Sequence, residues 1–257
     1  MHRFGGVWRV FFCRQLWVLF IICSANANSE SLASCKQRWV NVVQGGVLPA
    51  EYGSLANLCD AELLTKLKAL ISVDITADYS GARLEMFANL DNIDGTVCSV
   101  YTDLCIETNG IPDGNVMNCE HSWPQSLGAT GDAKSDLHHL YPVDQSMNSR
   151  RSNHPFCEVS IVKFEQEGSK LGLSALGTLC FEPPDRHKGD LARSMFYFSV
   201  QYKKAIDSEQ EAVFRKWNFA DPVSEKEEKR NEMIESFQGN RNPFVDYPYL
   251  IFAIGNF

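Results

Sequence analysis

The sequence predicts an α+β fold, a single mixed domain that is richer in helix than in strand. Stretches such as 60–72 carry leucine and isoleucine at helical spacing, whereas short β-branched runs near 96–101 and 157–181 stand beside glycine turn signals. No internal repeat, low-complexity tract or linker divides residues 28–257. A chain of 257 residues, 44% apolar and 22% charged, can bury a sizeable core as one domain, so neither metal nor disulfide is needed merely to fold it.

Residues 1–27 are set aside as a secretory signal. Arg3, Arg9 and Arg14 give a basic start, 16–22 is an apolar run, and Ala25-Asn26-Ala27 is a small-x-small cleavage site. The expected product is secreted or periplasmic, cut near Ala27; a retained membrane anchor is the alternative reading. No later segment is apolar enough to cross a bilayer. The 60–72 stretch then places Leu63, Leu64, Leu67, Leu70 and Ile71 on one helical face, with Asp60 as its N-cap. Residues 79–90 continue in helical style, Asp94-Gly95 signals a turn, 96–101 reads as a strand, and 110–114 is loop. Segments 157–166 and 171–181 fold back on Gly168-Ser169 as a two-residue hairpin turn. Pro183-Pro184 precedes a helix over about 186–206, a second covers about 208–218, and a third starts at Asp221-Pro222 and runs to about 237. Prolines in 238–248 predict an extended, loop-like end.

The formal charge is −8, and setting aside the three signal arginines moves it to −11. A tight, stoichiometric coater of nucleic acid is usually basic, so this acidity argues against one. It does not exclude an enzyme that needs only a local basic groove. Seven cysteines follow the signal, at 35, 59, 98, 105, 119, 157 and 180. Export makes disulfides the expectation, the odd count leaves at least one free thiol, and the absence of CxxC spacing argues against zinc. In the predicted hairpin Cys157 faces Cys180 across the strands, at a separation that suits a disulfide. Cys98 with Cys105 and Cys35 with Cys59 could close two further loops, leaving Cys119 free.

The stretch 119–156 carries the chemistry. Glu120 and His121 are adjacent, Asn148 follows 27 positions after the histidine, and Arg150 and Arg151 come next. A hard oxygen-ligated cation, a neutral base and a phosphate clamp need those residue types, so phosphodiester hydrolysis is the reaction to expect. Neighbours on a strand point to opposite faces, so Glu120 and His121 serve one site only if the strand ends or bends there. Pro124 supplies that ending. Residues 136–142 read as a second short strand and 144–153 as a short helix, which would bring Asn148 to face Glu120 and His121.

The runs C-E-H-S-W-P from 119, D-L-H-H-L-Y-P from 136 and N-S-R-R-S-N from 148 resemble the bacterial endonuclease I family of secreted and periplasmic nucleases. The block at 91–102, Lys188-Gly-Asp-Leu-Ala-Arg193 with Met195-Phe-Tyr-Phe198, and 238–246 fit the same pattern in the same order. The resemblance implies a ββα-metal (His-Me) finger at about 115–156 inside a nuclease domain spanning 28–257. It implies His121 as general base, and Glu120 and Asn148 as ligands of one divalent cation, Mg²⁺ first, with Ca²⁺ or Mn²⁺ as alternatives. Double-stranded DNA would be cut without sequence preference to 5′-phosphate ends, and single-stranded DNA and RNA are further candidate substrates, all held through the phosphate backbone. The protein would act as a monomer, away from the membrane. Residues 125–135 depart from the pattern, being short and without the arginine that some members use on the phosphate. The anion clamp then falls to Arg150, Arg151, Arg193 or Arg241, with Arg193 favoured.

Asp136 and His138 are read as supporting residues that orient the site, and His139 as packing or support. Trp123, Phe196, Tyr197 and Phe198 are read as core, and Lys226-Glu-Glu-Lys-Arg230 as a solvated helix face. A base titrating near neutrality predicts activity that falls below about pH 6. Two other functions fit the same residues: a secreted, non-catalytic nucleic-acid-binding protein, and a nuclease restricted to RNA or single strands.

Overall fold

A computed structural model describes residues 33–257, and the expected signal lies outside the described residues. The helices are α1 (33–42), α2 (Asp60–Ile71), α3 (Tyr79–Glu85), α4 (Gln145–Arg151), α5 (Lys188–Tyr202), α6 (Ser208–Ala220), α7 (Glu225–Gln238) and α8 (Pro243–Asp246). Three small antiparallel sheets accompany them: β1 (Asn92–Ile93), β2 (Thr96–Cys98) and β3 (Cys105–Glu107); β4 (Met117–His121) with β5 (Leu140–Asp144); and β6 (Ile161–Gln166), β7 (Ser169–Leu173) and β8 (Leu179–Glu182). This is a mixed α+β domain in which helix outweighs strand.

Helix α5 is the centre. Nearly every residue from Gly189 to Gln201 is buried, the polar Arg193, Ser194, Ser199 and Gln201 included, and these are satisfied by hydrogen bonds or ion pairs inside the fold. Phe196, Tyr197 and Phe198 are fully buried, and Phe196 meets Phe214 of α6, Phe244 of α8 and Phe257. Each such ring contributes roughly 1.5–3 kcal/mol through burial. Trp123 stacks on Phe198 with centroids 4.8 Å apart, which ties the segment after β4 to this core.

Local chemistry moved several predicted boundaries. Asp60 is not a cap; it is the first residue of α2, and its carboxylate pairs with Arg38 and accepts from the Gly255 amide. Helix α7 begins after Ser224, whose hydroxyl accepts from Glu227 N, while the Asp221 carboxylate accepts from Gly189 N of α5. The supposedly extended 238–248 contains α8, because Asn242 caps it and Pro243 occupies its first turn, where a missing N–H costs nothing. The 226–230 face is solvated only in part, since Glu227 and Arg230 are buried in ion pairs with Arg193 and Asp91.

The β6–β7 turn is Glu167-Gly168, not Gly168-Ser169. Gln166 pairs with Ser169, and the two turn residues have φ of 52° and 88°, the type I′ geometry that wants glycine second. Residues 171–181 are two strands, because the chain turns at Ser174–Thr178 and returns as β8. Cys180 therefore faces Gly172 of β7, and Cys157 reaches it from the segment before β6, where Cys157 N donates to Phe181 O. The disulfide Cys157–Cys180 is present by this other route, beside Cys35–Cys59 and Cys98–Cys105; Cys119 is free and buried.

Candidate active site

Strand β4 ends at His121. One further bond, Ser122 N to His139 O, closes the β4–β5 ribbon before Pro124 turns the chain away. The second strand lies at 140–144 rather than 136–142, because Asp136 accepts from His138 N and winds Leu137–His139 into a 3₁₀ turn. Asp144 then caps α4 by accepting from Met147 N, and its other oxygen accepts from Thr102 and Ser99. Those bonds fix α4 beside β4, where the Asn148 amide nitrogen donates to Cys119 O at 3.4 Å.

Glu120, His121 and Asn148 come together at one open cleft of about 530 Å³, with Tyr79, Gln125, Ser126 and Arg151 also in its walls. Glu120 is 2% exposed. Its Oε1 accepts from the Tyr101 hydroxyl at 2.9 Å and lies 3.1 Å from Arg151 Nε. That nitrogen is not aimed at the oxygen as a hydrogen bond, so the contact is one of charge. Burial pushes the Glu120 carboxyl up, and Arg151 and Tyr101 pull it back.

The His121 ring is held by two contacts. Nε2 lies 3.1 Å from the Lys134 carbonyl, which can only accept, so Nε2 carries the proton. Nδ1 keeps its lone pair, with only the Gln125 amide nitrogen at 3.4 Å. Burial first, and then the facing His139, push the imidazole down to about 3. This corrects the expected titration near neutrality: the ring is neutral throughout the physiological range.

The donor set suits a hard cation. Among the described residues Glu120 Oε2 and Asn148 Oδ1 make no hydrogen bond, and anchoring the Asn148 nitrogen on Cys119 O leaves its oxygen free. No group of three or more His, Cys, Asp or Glu side chains forms a ready-made cation site among the described residues. Two protein oxygens with room for water and phosphate match the habit of Mg²⁺ rather than that of zinc.

The other predicted site residues are placed differently. Arg193, the favoured clamp, is fully buried, bonded to both Glu227 oxygens and to Asn218 O and Asp221 O. Arg241 is held by Asp246 and Glu235. Neither reaches the cleft. Arg150 and Arg151 diverge, as adjacent helical residues must. Arg150 is exposed with its guanidinium 3.8 Å from the Phe164 ring centroid, whereas Arg151 is buried against Glu120, Ser122 O and Ser152 O. Asp136 accepts from Tyr197, Tyr202 and Gln238, and His138 bonds Asn240, so both brace the core behind the ribbon rather than the cleft. His139, not His138, meets His121, at 5.4 Å between centroids.

Tyr101, Gln125, Tyr79 and Lys134 were missed by sequence reasoning. Tyr101 lies inside the family-like block 91–102, which was the available signal; the other three stand at positions with no local pattern.

Residues 60–249 match the family model described as Endonuclease I. The chain belongs to the endonuclease I family. It is 36% identical over 175 residues to an extracellular ribonuclease of Bacillus subtilis (strain 168), covering 59% of each chain. It is 30% identical over 114 residues to the endonuclease-1 of Buchnera aphidicola subsp. Acyrthosiphon pisum, 44% of each chain. To an extracellular deoxyribonuclease of Aeromonas hydrophila it is 26% identical over 113 residues, 44% of this chain and 50% of that protein. The chain thus spans a little over half the length of the first of these relatives.

Proposed function

We propose that this protein is an exported, divalent-cation-dependent endonuclease that hydrolyses nucleic-acid phosphodiesters without sequence preference. The observation that carries the reading is the convergence of His121 Nδ1, Glu120 and Asn148 on one cleft. Family membership and relatives named as extracellular ribonuclease and deoxyribonuclease support it. We read β4, β5 and α4 as the ββα-metal finger.

In this reading Glu120 Oε2 and Asn148 Oδ1 hold the cation, Mg²⁺ first and Ca²⁺ or Mn²⁺ next, and the bound ion would supply Lewis-acid stabilisation of charge on the phosphate and the departing oxygen. His121 Nδ1 accepts a proton from the attacking water, while the Lys134 carbonyl holds the ring in the competent tautomer. Arg151 and Tyr101 fix the Glu120 carboxylate so that one oxygen faces the cleft.

Supercoiled plasmid incubated with the oxidised protein should be nicked and linearised with Mg²⁺ and stay intact with EDTA. Intact plasmid in Mg²⁺, or His121→Ala cutting as fast as wild type, would overturn the proposal. Parallel digests of double-stranded DNA, single-stranded DNA and RNA define the substrate range, and both kinds of named relative make RNA as credible a substrate as DNA.

A further inference from the structure

The Tyr79 ring, in the cleft wall, packs on His121 with centroids 5.3 Å apart. Two cations flank the same ring. Lys134 Nζ lies 4.6 Å from its centroid, and the Arg83 guanidinium, one turn further along α3, lies 5.7 Å away. Neither makes an ion pair among the described residues, and Arg83 Nε is buried with no hydrogen-bond partner. Of the arginines that looked available from the sequence, Arg151 is engaged with Glu120, Arg193 with Glu227 and Arg241 with Asp246, and Arg150 lies exposed over the Phe164 ring.

Two uncompensated cations beside the base stand out in a chain of net charge −8. Both residues are half-buried, so an incoming anion can reach them. Lys134 offers a mobile point charge, and Arg83 a planar donor fork matched to phosphate oxygens. Lys134 has a second tie to the chemistry, since its carbonyl orients His121. We propose that Lys134 and Arg83, spaced by Tyr79, form a phosphate subsite that takes the nucleic-acid backbone on the His121 side of the cleft. This rests on the nuclease reading for its ligand, but it concerns binding and is separable from cleavage.

The test is equilibrium binding of a fluorescein-labelled DNA duplex to the full oxidised chain in EDTA, over a range of NaCl. Lys134→Met and Arg83→Met should each weaken binding by about three- to tenfold and lower the slope of log affinity against log salt by about one. Lys134→Arg should restore most of the loss, and Lys226→Met, an exposed lysine on α7, should change nothing. Where Arg83→Met unfolds, Lys134→Met and its arginine rescue carry the test. Wild-type affinity and slope in Lys134→Met, an equal loss in Lys226→Met, or no binding by wild type would overturn the subsite. Wild type that binds through Lys134 yet leaves plasmid intact in Mg²⁺ overturns the nuclease reading and leaves the subsite standing.

Discussion

Arg151 Nε lies 3.1 Å from Glu120 Oε1, and both side chains are only 2% exposed. A lone charge there would be severely penalised, so the pair stands or falls together. Arg151→Ala should cost about 3–5 kcal/mol by leaving a buried carboxylate uncompensated. Adding Glu120→Gln should recover part of that loss, because the neutral amide needs no counter-charge. Urea denaturation of the two single variants and the double variant measures the coupling. Additive losses would show that the contact carries no energy.

His121→Ala should reduce turnover by about 10²–10⁴-fold while the far-ultraviolet circular dichroism stays unchanged. The pH profile is the sharper measurement. Burial and His139 hold the ring's pKa down to about 3, so it is an unprotonated base at every pH above that value. Turnover should therefore show no histidine break between about pH 7 and 5, in contrast to a base left near its ordinary pKa. A tenfold fall per pH unit beginning near pH 6 would contradict the environment described for His121.

The grouping of Glu120, His121 and Asn148 at one cleft was legible because its signals are local. Glu120 and His121 are adjacent, a proline follows, and Asn148 sits at the distance a strand, turn and short helix require. Burial by distant elements was not legible. Arg193 looks like a polar residue in a family-like run, but its partner Glu227 lies 34 positions away on α7. His138 and His139 are neighbours in sequence, and a 3₁₀ turn sends one to Asn240 and the other to His121. The same turn moved β5 four residues downstream of its predicted start. Asp221-Pro222 carries a cap-and-proline signal, yet Ser224 captures the helix and Asp221 is spent on Gly189.

Arg193 gives the clearest contrast between the two kinds of arginine. Its guanidinium is bonded to both Glu227 oxygens and to the Asn218 and Asp221 carbonyls, inside α5, α6 and α7. Arg193→Ala should lower stability by about 3–5 kcal/mol and leave the turnover of the remaining folded protein near wild type. Single-turnover cleavage, normalised to the folded fraction at low temperature, tests this. A loss of rate in fully folded protein would return Arg193 to the role of phosphate clamp.

His138 makes a stability prediction whose sign follows from its environment. Burial lowers its pKa from 6.5 to about 4, against the opposing pull of Asp136. Between those values the unfolded chain binds a proton that the folded chain does not, so stability is full above about pH 6.5 and falls as pH drops toward 4. Near pH 5 the slope for this residue approaches about 1.4 kcal/mol per pH unit. Buried carboxyls raised in the fold, among them Glu227 and Glu120, act in the opposite direction. Comparing wild type with His138→Gln cancels their contribution, because both proteins carry them. The glutamine amide can still donate toward Asn240, so the variant should fold. Denaturation midpoints at pH 7, 6 and 5 should converge, wild type losing stability faster than His138→Gln on acidification. Parallel losses across that range would mean that His138 takes up its proton in the folded state, and that burial does not hold it neutral.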